Sequence, residues 1–236
     1  MSGWPNLSDL VSTAQANAPV GLVGAPLAAG SVTPGRCDLT PALLRNTLRR
    51  IGRYDVETGR ELSVQIADRG DVSIERLGIE DATPMIREAV AASVGLHALT
   101  LLVGGNNAVT RPGVLGLGLP LGKVGLITLD AHFDMRETRE GLSNGNPVRA
   151  LIEDGLPGRN IAQIGLASFA NTAPVPRYCS AADVTPIFIM KMPAVMVMAA
   201  GMINENRRDW IFIMMVVTLI YLLPSIYGAN ETNPAK

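Results

Sequence analysis

Val124-Gly-Leu-Ile-Thr-Leu129 runs without a break into Asp130-Ala-His-Phe-Asp-Met-Arg136. The first part carries no charge and reads as a buried strand. The second part places two carboxylates, an imidazole and a guanidinium just past that strand's end. Ligands in parallel α/β sheets bind beyond the carboxyl ends of strands, so this is where chemistry is expected. In extended backbone, side chains two residues apart share a face. If the strand continues, Asp130, His132 and Asp134 therefore converge. Two carboxylates and an imidazole suit Mn²⁺ or a similar divalent ion.

The same alternation extends on both sides. Val20-Gly-Leu-Val-Gly-Ala-Pro26 is a short apolar run stopped by glycine and proline, a buried-strand signal. Thr40-Pro41 opens a helical stretch, with Thr40 as the cap and Leu43, Leu44, Leu48 and Ile51 on one face. Ser63 to Asp68 alternates as a strand. Thr83-Pro84 opens a second helix ending near Gly95 or His97, with His97 a packing or surface residue. Leu99 to Val103 is a strand, Arg111 to Leu117 a helix or turn, Pro147 to Asp154 a short helix, and Asn160 to Gly165 a strand. Strands alternating with helices predict parallel strands joined by crossover helices, a three-layer α/β architecture.

Composition divides the chain near Val175-Pro176. Of 24 glycines, only Gly201 and Gly228 follow that point, and the only lysine before it is Lys123. Ala173-Pro-Val-Pro176 is the expected breaker. The expected division is thus an α/β part over 1–175 and an unrelated apolar tail over 176–236. Within the tail, 210–227 is uncharged and would form a helix of roughly 27 Å, close to the ~30 Å hydrocarbon core of a bilayer. Trp210 and Tyr227 suit the two interfaces, and Arg207 and Arg208 would lie on the cytoplasmic side. The run 187–203, interrupted by Lys191 and Pro193, is a weaker candidate. Twenty basic residues against 21 acidic ones exclude a general electrostatic grip on nucleic acid. Cys37 and Cys179 form neither a disulfide framework nor a metal motif.

The motif Asp130-Ala-His-Phe-Asp-Met-Arg136 resembles the DAHxD metal motif of the ureohydrolases, the arginase, agmatinase and formimidoylglutamase family. Val20 to Pro26 with Ser31 to Arg45 resembles that family's first strand and its glycine-proline loop. Gly104-Gly-Asn-Asn-Ala-Val-Thr110 resembles its GGDHS loop. Arg136, the Ser143-Asn-Gly-Asn-Pro147 loop and Ile164-Gly165 through Asn171-Thr172 resemble the formimidoylglutamase branch. The likeness spans about 20–172. It implies an arginase-like sheet and a binuclear Mn²⁺ centre whose bound water attacks a guanidinium or formimino carbon. Carried over by position, Asp130 bridges the ions, His132 completes one site and Asp134 the other. Asn107 stands where the family usually has a histidine ligand. Asn144 stands where the arginase branch has a histidine near the substrate, and Arg136 suits a substrate carboxylate.

The later SxDxDxxDP motif of that family is absent from this chain. The resemblance therefore implies a cytoplasmic, manganese-dependent hydrolase of linear amidines, closest to formimidoylglutamase, with an incomplete sheet and low activity. It also implies a small amidine or guanidino substrate and a homo-oligomer. Two other readings are an inactive hybrid relative, and an interaction protein held at a membrane by 210–227.

Overall fold

The structure, a computed structural model, describes residues 4–188 and 211–215. They fall into two compact units, one of 4–121 with 134–155, the other of 122–133 with 156–188 and 211–215.

The first unit contains β1 (Val11–Ser12), β2 (Val20–Ala25), α1 (Thr40–Leu48), β3 (Tyr54–Asp55), β4 (Arg60–Glu61), β5 (Ile66–Asp71), α2 (Ile79–Val94), β6 (Leu99–Gly104), α3 (Thr110–Leu115) and α4 (Pro147–Glu153). Its main sheet has the order β1-β5-β2-β6 and is parallel throughout. β3 and β4 form a separate antiparallel pair. β2 is buried along its whole length, as its unbroken apolar run requires.

Two glycines of β2 show how the layers stack. A methyl group on Gly21 would run into the His97 ring and Ser93 Oγ, at the end of α2. One on Gly24 would strike the Asp71 carboxylate and lie 3.0 Å from Pro41 of α1. Residues 21 and 24 point to opposite faces of the strand. α2 and α1 thus cover opposite faces of this sheet, giving the expected three layers within the unit. α2 buries Ile79, Ala82, Ile86, Val90 and Ser93, a stripe at helical spacing. With Ala25, Leu27, Ile74, Ala108 and Val109 these apolar residues form the core.

The second unit contains β7 (Gly125–Leu129), β8 (Ile161–Leu166), α5 (Pro174–Ala181), β9 (Thr185–Phe188) and β10 (Ile211–Met215). Its sheet has the order β10-β7-β8-β9, again all parallel. Ile127 and Ile164 pack together on one face, with Ala162 against them.

Several expectations are corrected at the level of elements. Thr40 makes no capping bond; it is already helical, with Leu39 before it and Pro41 in the first turn. Of the four residues placed on one helical face, Leu43 and Ile51 are exposed, and Ile51 lies beyond the end of α1. α2 starts at Ile79, not Thr83, and carries Pro84 inside it. Thr83 Oγ1 donates to the Ile79 carbonyl instead of capping. The prolines expected to break the chain at 173–176 instead open α5, where a helix's first turn does not need their missing N–H. Residues 211–215, expected as part of a helix over 210–227, are strand β10 beside β7. A short all-apolar run does not distinguish a buried strand from a buried helix by periodicity. The rest of that span, Arg207 and Arg208, and 189–203 lie outside the described residues. Among the described residues, no helix is long and apolar enough to cross a membrane.

Candidate functional site

The residues singled out from sequence lie in both units, and hydrogen bonds join two pairs of them, Asp130 with His132 and Asn107 with Asp134. Asp130 and His132 belong to the second unit; Asp134, Asn107, Asn144 and Arg136 belong to the first.

β7 stops at Leu129, so the strand does not carry the period-two spacing through to residue 134. The Asp130 N–H still reaches the Ile164 carbonyl at 2.9 Å. The chain then bends, because the Asp130 carboxylate captures the His132 backbone N–H at 2.9 Å. The same Oδ1 lies 3.2 Å from His132 Nδ1. Asp130 is 8% exposed, whereas the His132 side chain is 57% exposed. A carboxylate only accepts, so Nδ1 carries the proton toward it and the Nε2 lone pair is presented outward. Such a nitrogen can take a metal ion or a proton.

Asp134 is 7% exposed and left-handed at φ 53°, a strained conformation for a residue with a side chain. Its carboxylate accepts from Asn107 Nδ2. Thr110 Oγ1 donates to Asn107 Oδ1 at 2.7 Å. The Asn107 amide is therefore fixed with its nitrogen toward Asp134 and its oxygen toward Thr110. As oriented, it serves Asp134 as a donor and not as a fellow oxygen ligand.

Asn144 ties two loops of its unit. Its N–H donates to the Gly30 carbonyl at 2.9 Å, and its Oδ1 accepts from the Val32 N–H at 3.0 Å. Arg136 is exposed and lies across Gly145, its Cδ 2.9 Å from where a Cβ there would stand. Its N–H donates to the Gly145 carbonyl. No ion pair engages its guanidinium among the described residues.

Three carboxamides that lie within the quoted motifs, but to which the sequence assigned no role, organise these loops. Asn106 donates to the carbonyls of Ala28 and Ala29. Buried Asn146 donates to the carbonyls of Glu137 and Gly141 and accepts from the Ser143 N–H. Asn171 binds both sides of His132, through Ala131 and Phe133. Their motifs were visible in the sequence, but which backbone groups they bind was not, because those partners lie in other segments of the chain. A cleft of about 430 Å³ in the first unit is lined by residues such as Asn6, Arg45 and Asp68, and by none of those expected at the site.

The donor types present, carboxylates and an imidazole, match a divalent ion. Among the described residues, no three His, Cys, Asp or Glu side chains are grouped so as to hold a metal. With its oxygen turned to Thr110, Asn107 offers no ligand atom to an ion held by Asp134.

The arginase family model matches residues 18–213. A formimidoylglutamase of Halalkalibacterium halodurans is 29% identical over 163 residues, which cover 67% of this chain and 51% of that protein. The crystal structure of the Bacillus subtilis formimidoylglutamase superposes with a TM-score of 0.80 at 24% identity, covering 91% of this chain and 70% of that one. A Trypanosoma cruzi formiminoglutamase with Mn²⁺ gives a TM-score of 0.76 at 23% identity, covering 86% and 72%. This chain spans about half the length of the curated relatives it matches. A family match over most of its length, together with two all-parallel sheets and an acidic turn at the end of β7, makes the chain a member of the arginase family.

Proposed function

We propose that this chain is a formimidoylglutamase-like hydrolase of linear amidines with little activity as it stands. The reaction would convert N-formimidoyl-L-glutamate and water to glutamate and formamide. The observation that carries this reading is the Asp130–His132 pair at the carboxyl end of β7, with the imidazole oriented by the carboxylate and its Nε2 outward. Two features support a substrate bearing a carboxylate: the exposed Arg136 guanidinium, which forms no ion pair among the described residues, and its seat on Gly145 in the loop that also carries Asn144. Relatives of similar fold supply the expectation of manganese, which in such enzymes generates hydroxide near neutral pH. Low activity follows from the donor set, since Asn107 offers its nitrogen to Asp134 and a neutral carboxamide is a poor substitute for imidazole.

Formamide release from formimidoylglutamate and urea release from agmatine test the proposal, each with and without added Mn²⁺. Turnover near the blank is expected for the unsubstituted chain. Calorimetry of Asn107→His should show tighter Mn²⁺ binding, and Asp130→Ala should abolish whatever binding exists. Robust turnover by the unsubstituted protein, lost in Asp130→Ala, would overturn the claim of low activity. Mn²⁺ binding that is indifferent to both substitutions would remove the hydrolase reading itself.

A further inference from the structure

We infer that Asn171 is the positioning residue for His132; this rests on the reading of His132 as a site residue. Past Asp130 the chain leaves the β7 ladder, and its backbone groups need partners from elsewhere. Asn171 Nδ2 donates to the Ala131 carbonyl at 3.1 Å. Asn171 Oδ1 accepts the Phe133 N–H at 2.9 Å. One carboxamide thus holds the peptide groups on both sides of His132. The Ala167 N–H adds a second bond to the Ala131 carbonyl, at 3.1 Å. Gln163 Nε2 donates to the Phe133 carbonyl at 2.7 Å.

These bonds fix the backbone dihedrals of His132 and hence the direction in which its side chain leaves the chain. Packing does not do so, because more than half of that side chain is exposed. The ring's contact with Asp130 then sets the rotation about its own bonds. Both a donor and an acceptor on a short stem are needed; aspartate lacks the donor and leucine lacks both. Gln163 is fully buried and its Oε1 has no partner among the described residues, where the amide's one polar bond is the one it donates to this loop. If Asn171 merely closed the turn after β8, its loss would lower stability and leave the state of the His132 ring unchanged.

The chain has two histidines, which makes the imidazole nitrogens directly readable. The full chain is labelled with ¹⁵N-histidine and recorded at about pH 8, above the ordinary imidazole range. His97, buried with Nδ1 on the Ala18 carbonyl at 2.7 Å, is the internal reference. In the unsubstituted protein His132 should show one tautomer, protonated at Nδ1. In Asn171→Ala its nitrogens should move toward the averaged values of a free imidazole while those of His97 stay in place. Amide exchange in the unsubstituted protein gives an answer that does not depend on how the variant folds. The Phe133 N–H should exchange at least about 10-fold slower than an unbonded amide. Unchanged His132 nitrogens in folded Asn171→Ala, or free exchange at Phe133, would overturn the inference. Added Mn²⁺ separates this from the functional reading. No broadening of the His132 signals in the unsubstituted protein would count against metal binding alone, leaving the tautomer result intact. Where broadening occurs, Asn171→Ala should weaken the underlying affinity by about 10-fold or more, and equal affinity would count against Asn171.

Discussion

Arg45 illustrates how single side chains set the stability of the first unit. Its Nε and Nη2 reach the two oxygens of Asp68 at 2.7 and 2.8 Å, and Nη1 reaches Asp71 at 2.6 Å. Burial pushes the Asp68 carboxyl up, but the Arg45 guanidinium and the Gly70 N–H outweigh it and hold the group below its ordinary value. A carboxyl whose folded pKa is depressed contributes stability above the unfolded value, about 3.9, and that contribution is lost as pH falls through the lower folded value. Arg45→Met should therefore cost about 1–3 kcal/mol at neutral pH, and less once Asp68 is protonated. Urea melts at neutral and strongly acid pH check this; an equal loss at both would show that the charge pairing contributes nothing.

α2 shows an element held in place against one of its own residues. Pro84 lies six positions into the helix, beyond the first turn, and cannot donate to the Glu80 carbonyl. The helix forms nonetheless because Ile79, Ile86 and Val90 bury their side chains, each worth about 1.5–3 kcal/mol. Glu80 and Asp81 add favourable charge at its N-terminus. Pro84 is exposed, so replacing it disturbs no core. Pro84→Ala should raise stability by about 1–3 kcal/mol, read as a higher thermal midpoint. A lower midpoint would show that the proline helps set where the helix begins.

At the scale of the whole molecule, the outer side of β6 has no strand beside it among the described residues. The run Leu99-Thr-Leu-Leu-Val103 has the composition of an interior parallel strand, yet β6 pairs only with β2 among the described residues. Leu99 is 53% exposed and Leu101 40%. An apolar edge without lysine, proline or a bulge is a template for pairing with other chains. Purified protein should self-associate as concentration rises, and Leu101→Lys should reduce this in light scattering without changing the circular dichroism. Equal scattering by the two proteins would place the association elsewhere.

The sequence alone determined the alternation of strands and helices and the parallel pairing of the strands. Buried parallel strands read as near-continuous apolar runs; β2 is one, and β6, β7 and β8 come close, broken only by Thr100, Thr128 and Gln163 beside their glycines. The Asp130–His132 pair was legible for the same reason, as charge set directly after such a run. Tertiary structure decided what depends on partners distant in sequence. β-pairing made 211–215 a strand, where the apolar run also suited a helix. Burial against the sheet moved the start of α2 ahead of the proline that seemed to open it. The Asn107 amide became a donor to Asp134 because Thr110 holds its oxygen. Asn171 lies 38 residues from the Phe133 amide it binds. Periodicity records which face of an element is buried, but a hydrogen bond across that separation exists only once the chain has folded.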